Sequence, residues 1–287
     1  MAHTVGFVGL GNVGLPASRN LLERGYTVLG HDLQQSEEFV RAGGRFEADL
    51  AALAAAPVIV FSLPTAAVVA GVVDRLMPLL RPGQLVIDLS SSAIDTKRAQ
   101  ADRLAARGVT LLDCEVSGLP AQVASRKAVI FKAGERAAVE RLDALFLALA
   151  EQHFYVGAFG AATTLKLIAN TMVCVHNLMA AEALNLGVRA GLDAALMVQV
   201  LGPSAAGSST FVNKAPLMLS RQFEAGKGPF RHMFGYLSRA ADLARRAGAT
   251  TPLLDAVHEV YGQAQAQGRH DQDIAAVIEL LEHAPPA

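Results

Sequence analysis

TVGFVGLGNVGLPASRNLLERGYTVLGHD, running from Thr4 to Asp32, is the stretch whose reading decides the fold. A short β-prone run, Thr4 to Val8, leads into Gly9-Leu10-Gly11-Asn12-Val13-Gly14, and a helical stretch follows. Arg24 in its last turn and Gly25 just beyond suit a helix C-terminus. A second β-prone run, Thr27 to Gly30, then ends in His31-Asp32. Strand, glycine turn, helix, strand and acid form the context in which GxGxxG carries meaning. The glycines permit a tight turn, close approach of a pyrophosphate and close helix packing, while the helix N-terminus faces the phosphates. Asp32 suits hydrogen bonds from a ribose hydroxyl and repels a 2′-phosphate. Leu33-Gln34-Gln35-Ser36 lacks the arginine that such a phosphate wants, so NAD is favoured over NADP. The competing reading of Asp32 is a surface aspartate that caps a turn.

Outward from this unit the alternation continues. Val58 to Leu63, Leu85 to Leu89, Thr110 to Asp113, Val129 to Ala133 and His153 to Val156 read as strands. Ala66 to Leu80, Ala93 to Arg107 and Arg136 to about Leu149 read as the helices between them. Such spacing implies parallel crossover units in an α/β, doubly wound Rossmann-type sheet over residues 1–157. Ligands on these sheets lie beyond the carboxyl ends of the strands. Those ends are Gly9 to Gly14, Asp32, Leu63-Pro64, Ser90-Ser91 and Val116-Ser117-Gly118. From Gly157 onward no strand is evident. Segments 160–190, 192–201, 208–220, about 233–247, 252–267 and 271–282 read as helices of an all-helical C-terminal domain, 158–287, and the closing HAPPA is expected to fray.

Composition narrows the partners. The 287 residues are 52% hydrophobic with a formal net charge of -1, so no basic footprint marks nucleic acid or an anionic membrane. Cys114 and Cys174 offer neither a disulfide framework nor a zinc site, and no histidine spacing suits a metal, which fits a reducing cytoplasm. The N-terminus has no basic start and is broken by glycines within about ten residues, unlike a signal peptide. Residues 51–73 carry no charge, but Pro57 and Pro64 cut them into pieces too short to span a bilayer.

The long segment GAFGAATTLKLIANTMVCVHNLMAAEALNLGVRAG, Gly157 to Gly191, poses a separate question. Lys166 is its lone formal charge before Glu182, and Asn170 lies one helical turn beyond it on the same face. Two readings compete: a lysine snorkelling from a core helix, or a proton-transfer group.

Several motifs in order resemble one family over nearly the whole length. GFVGLGNVGLPASRNL is similar to the nucleotide signature of the β-hydroxyacid dehydrogenases, the group of 3-hydroxyisobutyrate dehydrogenase and tartronate semialdehyde reductase. SLPT, DLSS, DCEVSG and GAFGAATTLKLIAN resemble its nicotinamide-side turn, cofactor-contacting segment, substrate loop and catalytic segment. The resemblance implies an NAD(P)-dependent dehydrogenase or reductase acting on a small hydroxy acid or related alcohol. It makes Lys166 the general acid/base, with Asn170 orienting the substrate oxygen. Ser117 and Gly118 would hold substrate. Gly9, Leu10, Gly11, Asn12, Val13, Gly14, Asp32, Leu63, Pro64 and Ser91 would hold cofactor. The residues are compatible with this chemistry, because the cofactor handles only the hydride and a lysine whose pKa is lowered by burial can take the proton. An imine or ketone reductase on the same fold, or a nucleotide-binding protein with impaired catalysis, are the alternatives.

The chain also departs from the family. Leu119 and Pro120 follow Gly118 in place of a second glycine, and Glu115 stands where the family has proline. A Glu115 facing the site would disfavour a carboxylate substrate, whereas one facing solvent would mean nothing. Arg126-Lys127 replaces Gly-Thr and would bind an anion or stand exposed. Gly235-Tyr236-Leu237 occupies the place of a Lys-Asp-Leu. These departures suggest a substrate less anionic or more hydrophobic than a simple hydroxy acid. The apolar stripe of the helical half suggests a homodimer or higher homo-oligomer in which the long helix takes part.

Overall fold

The computed structural model describes residues 4–224 and 228–282, so the terminal HAPPA lies outside the described residues. Eight strands form one sheet: β1 Thr4–Val8, β2 Thr27–His31, β3 Arg45–Phe46, β4 Val58–Phe61, β5 Leu85–Asp88, β6 Thr110–Ser117, β7 Val129–Ala133 and β8 Gln152–Gly157. Their order is β3-β2-β1-β4-β5-β6-β7-β8. The chain order reverses between β1 and β4, which are paired in parallel from Val5↔Val58 to Val8↔Phe61. This is the switch point where doubly wound sheets open a crevice.

The helices of this half are α1 Gly14–Glu23, α2 Glu37–Arg41, α3 Ala66–Leu76, α4 Ile94–Ala105, α5 Pro120–Ala124, α6 Arg136–Arg141 and α7 Asp143–Leu149. Strand alternation feeds a core on each face of the sheet. Val60 and Ile87 join Phe7, Leu21 and Phe146 on one side, while Ile59, Phe61 and Val86 join Val73, Leu76 and Leu104 on the other.

Two expectations need correction. The sheet is not wholly parallel, because β6 and β7 run antiparallel from Asp113↔Ala133 to Ser117↔Val129. The link between them, residues 118–128, carries no helix longer than the five residues of α5, too short for a crossover. The single helix read from Arg136 to Leu149 is two, parted at Leu142. In addition, β6 continues four residues beyond Asp113, which brings Glu115 and Ser117 onto the strand. The short α2, β3 and α5 were not evident from periodicity.

The second half is helical: α8 Ala161–Arg189, α9 Ala194–Leu201, α10 Ser209–Ser220, α11 Phe230–Ala247, α12 Pro252–Ala266 and α13 Val277–Glu282. Residues 4–166 and 167–282 belong to two compact units. The helical unit has its own core, in which Cys174, Leu178 and Leu184 of α8 meet Phe211, Phe230, Leu237, Val257 and Tyr261. Asn177 is the polar pin of that core, donating to Tyr261 Oη and to the Ile274 carbonyl, both at 2.9 Å. By length and composition α8 could cross a bilayer, but its buried residues make it the central core helix of this unit.

Candidate active site

The loop after β1 is built so that only glycine fits. A Cβ on Gly9 would come within 2.2 Å of the Ser62 carbonyl oxygen, and one on Gly14 within 1.9 Å of the Gly9 carbonyl oxygen. Gly11 is different: it is exposed, and a Cβ there meets nothing within 4 Å. Asn12 is exposed beside it. The helix that follows has no side-chain N-cap and no acidic residue in its first turn, which leaves its N-terminal N–H groups to an outside anion. Asp32, at the end of β2, closes the loop from the other side. Its carboxylate accepts from Leu10 N and Leu33 N, each at 2.6 Å, and Leu33 itself is almost wholly exposed. The close-packed glycines, the open Gly11 and the uncapped helix fit a dinucleotide.

Leu63 and Pro64 follow β4, where Leu63 N donates to Ser90 Oγ at 2.9 Å and Pro64 is exposed. Ser90 N in turn donates to Asp88 Oδ1 at 2.9 Å, so the end of β5 holds the Leu-Pro turn in place. Ser91 does something the sequence did not indicate: its hydroxyl donates to Glu115 Oε2 at 2.5 Å.

Glu115 does not face solvent. It is 1% exposed and belongs to a buried charge cluster with Lys97 of α4 at its centre. Lys97 Nζ donates to Asp113 Oδ1 at 2.9 Å and to Glu115 Oε1 at 3.2 Å, and it stands 3.9 Å from Asp88 Oδ2. The strand register explains the crowding. Asp88 and Asp113 are direct neighbours on β5 and β6, and Glu115 shares the Asp113 face two residues on. Burial pushes Asp88 and Glu115 upward, with Lys97 acting against that shift in both. Burial also works against the charge of Asp113, but Lys97 and Thr163 outweigh it and hold that carboxyl below the ordinary aspartate value.

The same Asp113 starts α8. Gly160 N and Thr163 N donate to Oδ2 at 3.1 Å each, and Thr163 Oγ1 donates to Oδ1 at 2.7 Å. A buried carboxylate on β6 thus caps the helix that carries Lys166 one turn further on. Burial lowers the Lys166 amine from its ordinary value, and Glu115 acts in the opposite sense. Asn170 is 7% exposed on the next turn of α8. Ser117 ends β6, half-buried, and Gly118 beyond it leaves no room for a side chain because a Cβ would lie 2.8 Å from the Ala128 Cβ.

The structure therefore gathers Glu115, Ser91, Thr163 and the start of α8 around the ends of β5 and β6. Lys97, Asp88 and Asp113 were missed as site-forming residues. Lys97 had a signal: it lies seven residues before Leu104, the other buried residue of α4. Arg126 is engaged within its own unit, donating to the Leu147 carbonyl at 2.6 Å, while Lys127 is exposed. Gly235 lies on α11 in the helical unit, and a Cβ there meets nothing within 4 Å.

With this geometry in place, comparison with known proteins is decisive. Residues 4–157 match the family described as the NAD binding domain of 6-phosphogluconate dehydrogenase. Residues 160–281 match the NAD-binding family of NADP-dependent 3-hydroxyisobutyrate dehydrogenase. The chain belongs to the β-hydroxyacid dehydrogenase family. Among its relatives are the L-threonate dehydrogenase of Cupriavidus necator, 30% identical over 98% of this chain and 97% of that one, and the NAD-dependent L-serine dehydrogenase of Pseudomonas aeruginosa, 29% identical over 97% of each. A solved 3-hydroxyisobutyrate dehydrogenase of Mycobacterium tuberculosis with L-serine superposes at a TM-score of 0.88, with 27% identity over 99% of this chain and all of that one. This β-hydroxyacid dehydrogenase is accordingly an NAD(P)-dependent oxidoreductase acting on CH–OH groups.

Proposed function

We propose that the enzyme oxidises the hydroxyl of a small hydroxy acid or related alcohol to an aldehyde or ketone, with Lys166 as general base and NAD preferred over NADP. The observation that carries this reading is the position of Lys166 on α8: a half-buried lysine whose amine has a lowered pKa, one turn beyond a helix start fixed by Asp113. When bound, the nicotinamide supplies the hydride acceptor. Neutral Lys166 takes the hydroxyl proton, and as its conjugate acid returns it in the reverse direction. Asn170 orients the substrate oxygen through its carboxamide. Ser117 and the Gly118 backbone hold the substrate's polar anchor. The Gly9–Gly14 loop carries the pyrophosphate, Asp32 the ribose, and Leu63, Pro64 and Ser91 the nicotinamide end. The preference for NAD is supported by the Asp32 carboxylate at the end of β2 and by the absence of a basic residue in the Leu33–Ser36 turn.

The substrate we favour is less anionic than a simple hydroxy acid. Gly235 brings no charge to the place where the resemblance to the family implies a lysine. The helical unit serves substrate binding and self-association, with a homodimer or higher homo-oligomer formed through exposed apolar residues of α8. Two buried free thiols support a cytoplasmic location.

The test is a Lys166→Ala variant assayed on L-serine, L-threonate, 3-hydroxyisobutyrate and neutral alcohols, beside a fluorescence titration of NAD. NAD affinity should stay within about twofold while turnover falls by roughly 10²-fold or more, the usual contribution of a general base. Unchanged turnover would end the reading of Lys166. A strong preference for the small hydroxycarboxylates would end the reading of the substrate.

A further inference from the structure

The buried carboxylate of Glu115 has more partners than one ion pair requires. Lys97 from α4 holds Oε1 at 3.2 Å, Ser91 from the β5 end holds Oε2 at 2.5 Å, and Thr163 Oγ1 from the first turn of α8 stands 3.5 Å from Oε1. Thr163 lies three residues before Lys166, so on the helix both project from one face. Glu115 is therefore tied at once to the segment assigned to the nicotinamide and to the turn that carries the proton-transfer lysine. Lys97 does not need Glu115 for neutrality, because Asp113 lies 2.9 Å away and Asp88 3.9 Å away. A third buried acid at this point is a cost that a purely structural cluster would avoid.

We propose that Glu115 is a positioning residue for the reaction: a carboxylate fixed by Lys97 and Ser91 that sets the pH at which Lys166 gives up its proton. The inference rests on the reading of Lys166 as the proton-transfer group. Burial by itself favours the neutral form of that amine. A fixed negative charge opposes burial and lets the lysine cycle between base and acid. The charged and titratable groups that act on the carboxylate are Lys97 from α4, Asp113 from β6 and Lys166 from α8, with Asp88 from β5 on the far side of Lys97. Lys97 supplies one positive charge against three buried acids, so the cluster keeps negative charge to act on Lys166.

The experiment measures the pH dependence of Lys166 acylation by a small amine-reactive reagent, read by peptide mass spectrometry on the whole chain. It needs neither cofactor nor substrate. Glu115→Gln preserves shape, and its amide oxygen still accepts from a donor. Loss of the charge should move the labelling midpoint to lower pH, with roughly tenfold faster labelling below the wild-type midpoint. Glu115→Asp, which keeps the charge, should remain near wild type. If Glu115→Gln fails to fold, Glu115→Met supplies a second neutral side chain of similar length. A midpoint unmoved in a folded neutral variant overturns the proposal. In the loaded enzyme, the acid limb of the oxidation profile should follow the labelling midpoint, while NAD affinity should not. Labelling that shifts in a chain without turnover would instead count against the general-base reading and leave the Glu115 inference standing.

Discussion

At the scale of single residues, Lys97 organises the nucleotide-binding half. It is 1% exposed, and its ammonium serves two carboxylates and two backbone carbonyls drawn from β5 and β6. An ammonium this deep is tolerated because each of its donors has an acceptor and its charge is answered several times over. Lys97→Met keeps the length of the side chain and removes the charge. The stem would still pack, but Asp113 and Glu115 would be left as buried acids without their cation. The expected cost is about 3–5 kcal/mol, the usual penalty for breaking a buried pair from one side. Urea unfolding measures it, and a loss below about 1 kcal/mol would show that the carboxylates relax by taking up protons. The same chemistry makes Ser90 and Ser91 more than turn residues, since Ser90 locks the Leu63-Pro64 turn and Ser91 meets Glu115.

At the scale of elements, β6 delivers the chemistry. Its two-residue alternation places Asp113, Glu115 and Ser117 on one face, while Cys114 and Val116 turn into the core on the other. One strand thereby supplies the cap of α8, the carboxylate that Lys97 and Ser91 hold, and the candidate substrate hydroxyl, in that order toward its carboxyl end. The cap has a pH signature. Asp113 has a folded pKa below its unfolded value, so its stabilisation is complete above that unfolded value and is lost as pH falls toward the folded one. The stability gap between wild type and Asp113→Asn should therefore be widest above about pH 5 and narrow progressively in more acid solution. Thermal melts of the two proteins across pH 3–7 measure it, and a gap constant across that range would remove the carboxylate charge from the account. The elements themselves were legible in the sequence wherever periodicity is enforced by burial. Thr4–Val8 and Val129–Ala133 form strands with the expected bounds, and the six C-terminal segments are helices or, at the last, a 3-10 turn running into one. Legibility ended at the β6–β7 turn and at Lys97. Antiparallel return depends on how few residues connect two strands, which strand patterning does not register. A buried lysine in the run DTKRAQADR resembles any solvated helix face until its partners on two distant strands are known. Glu115 was visible as a departure, but its partner lies 18 residues away on another element.

At the scale of the whole molecule, the described residues of the helical unit expose several large apolar side chains. Met172, Met179 and Leu186 on α8 are 53%, 56% and 71% exposed, at spacings that keep them along one side of the helix. α9 extends the surface. It has no buried residue although most of it is apolar, it abuts α8 where Gly187 faces Met197, and Leu196 and Val200 stand exposed on it. We propose that this exposed apolar surface is an interface, with a second copy of the same chain as its occupant, because closed two-fold pairing buries the same patch twice. Light scattering at micromolar concentration should accordingly return at least twice the chain mass. Introducing charge at two points of the patch, Leu186→Glu with Leu196→Glu, should shift the population to monomer by desolvating a carboxylate wherever the copies meet. The melting temperature of the wild type should rise with protein concentration, whereas that of the double variant should not, because only an associating fold is stabilised by mass action. A wild-type monomer would assign the patch to some other partner, and a double variant that still dimerises would place the interface elsewhere on the chain.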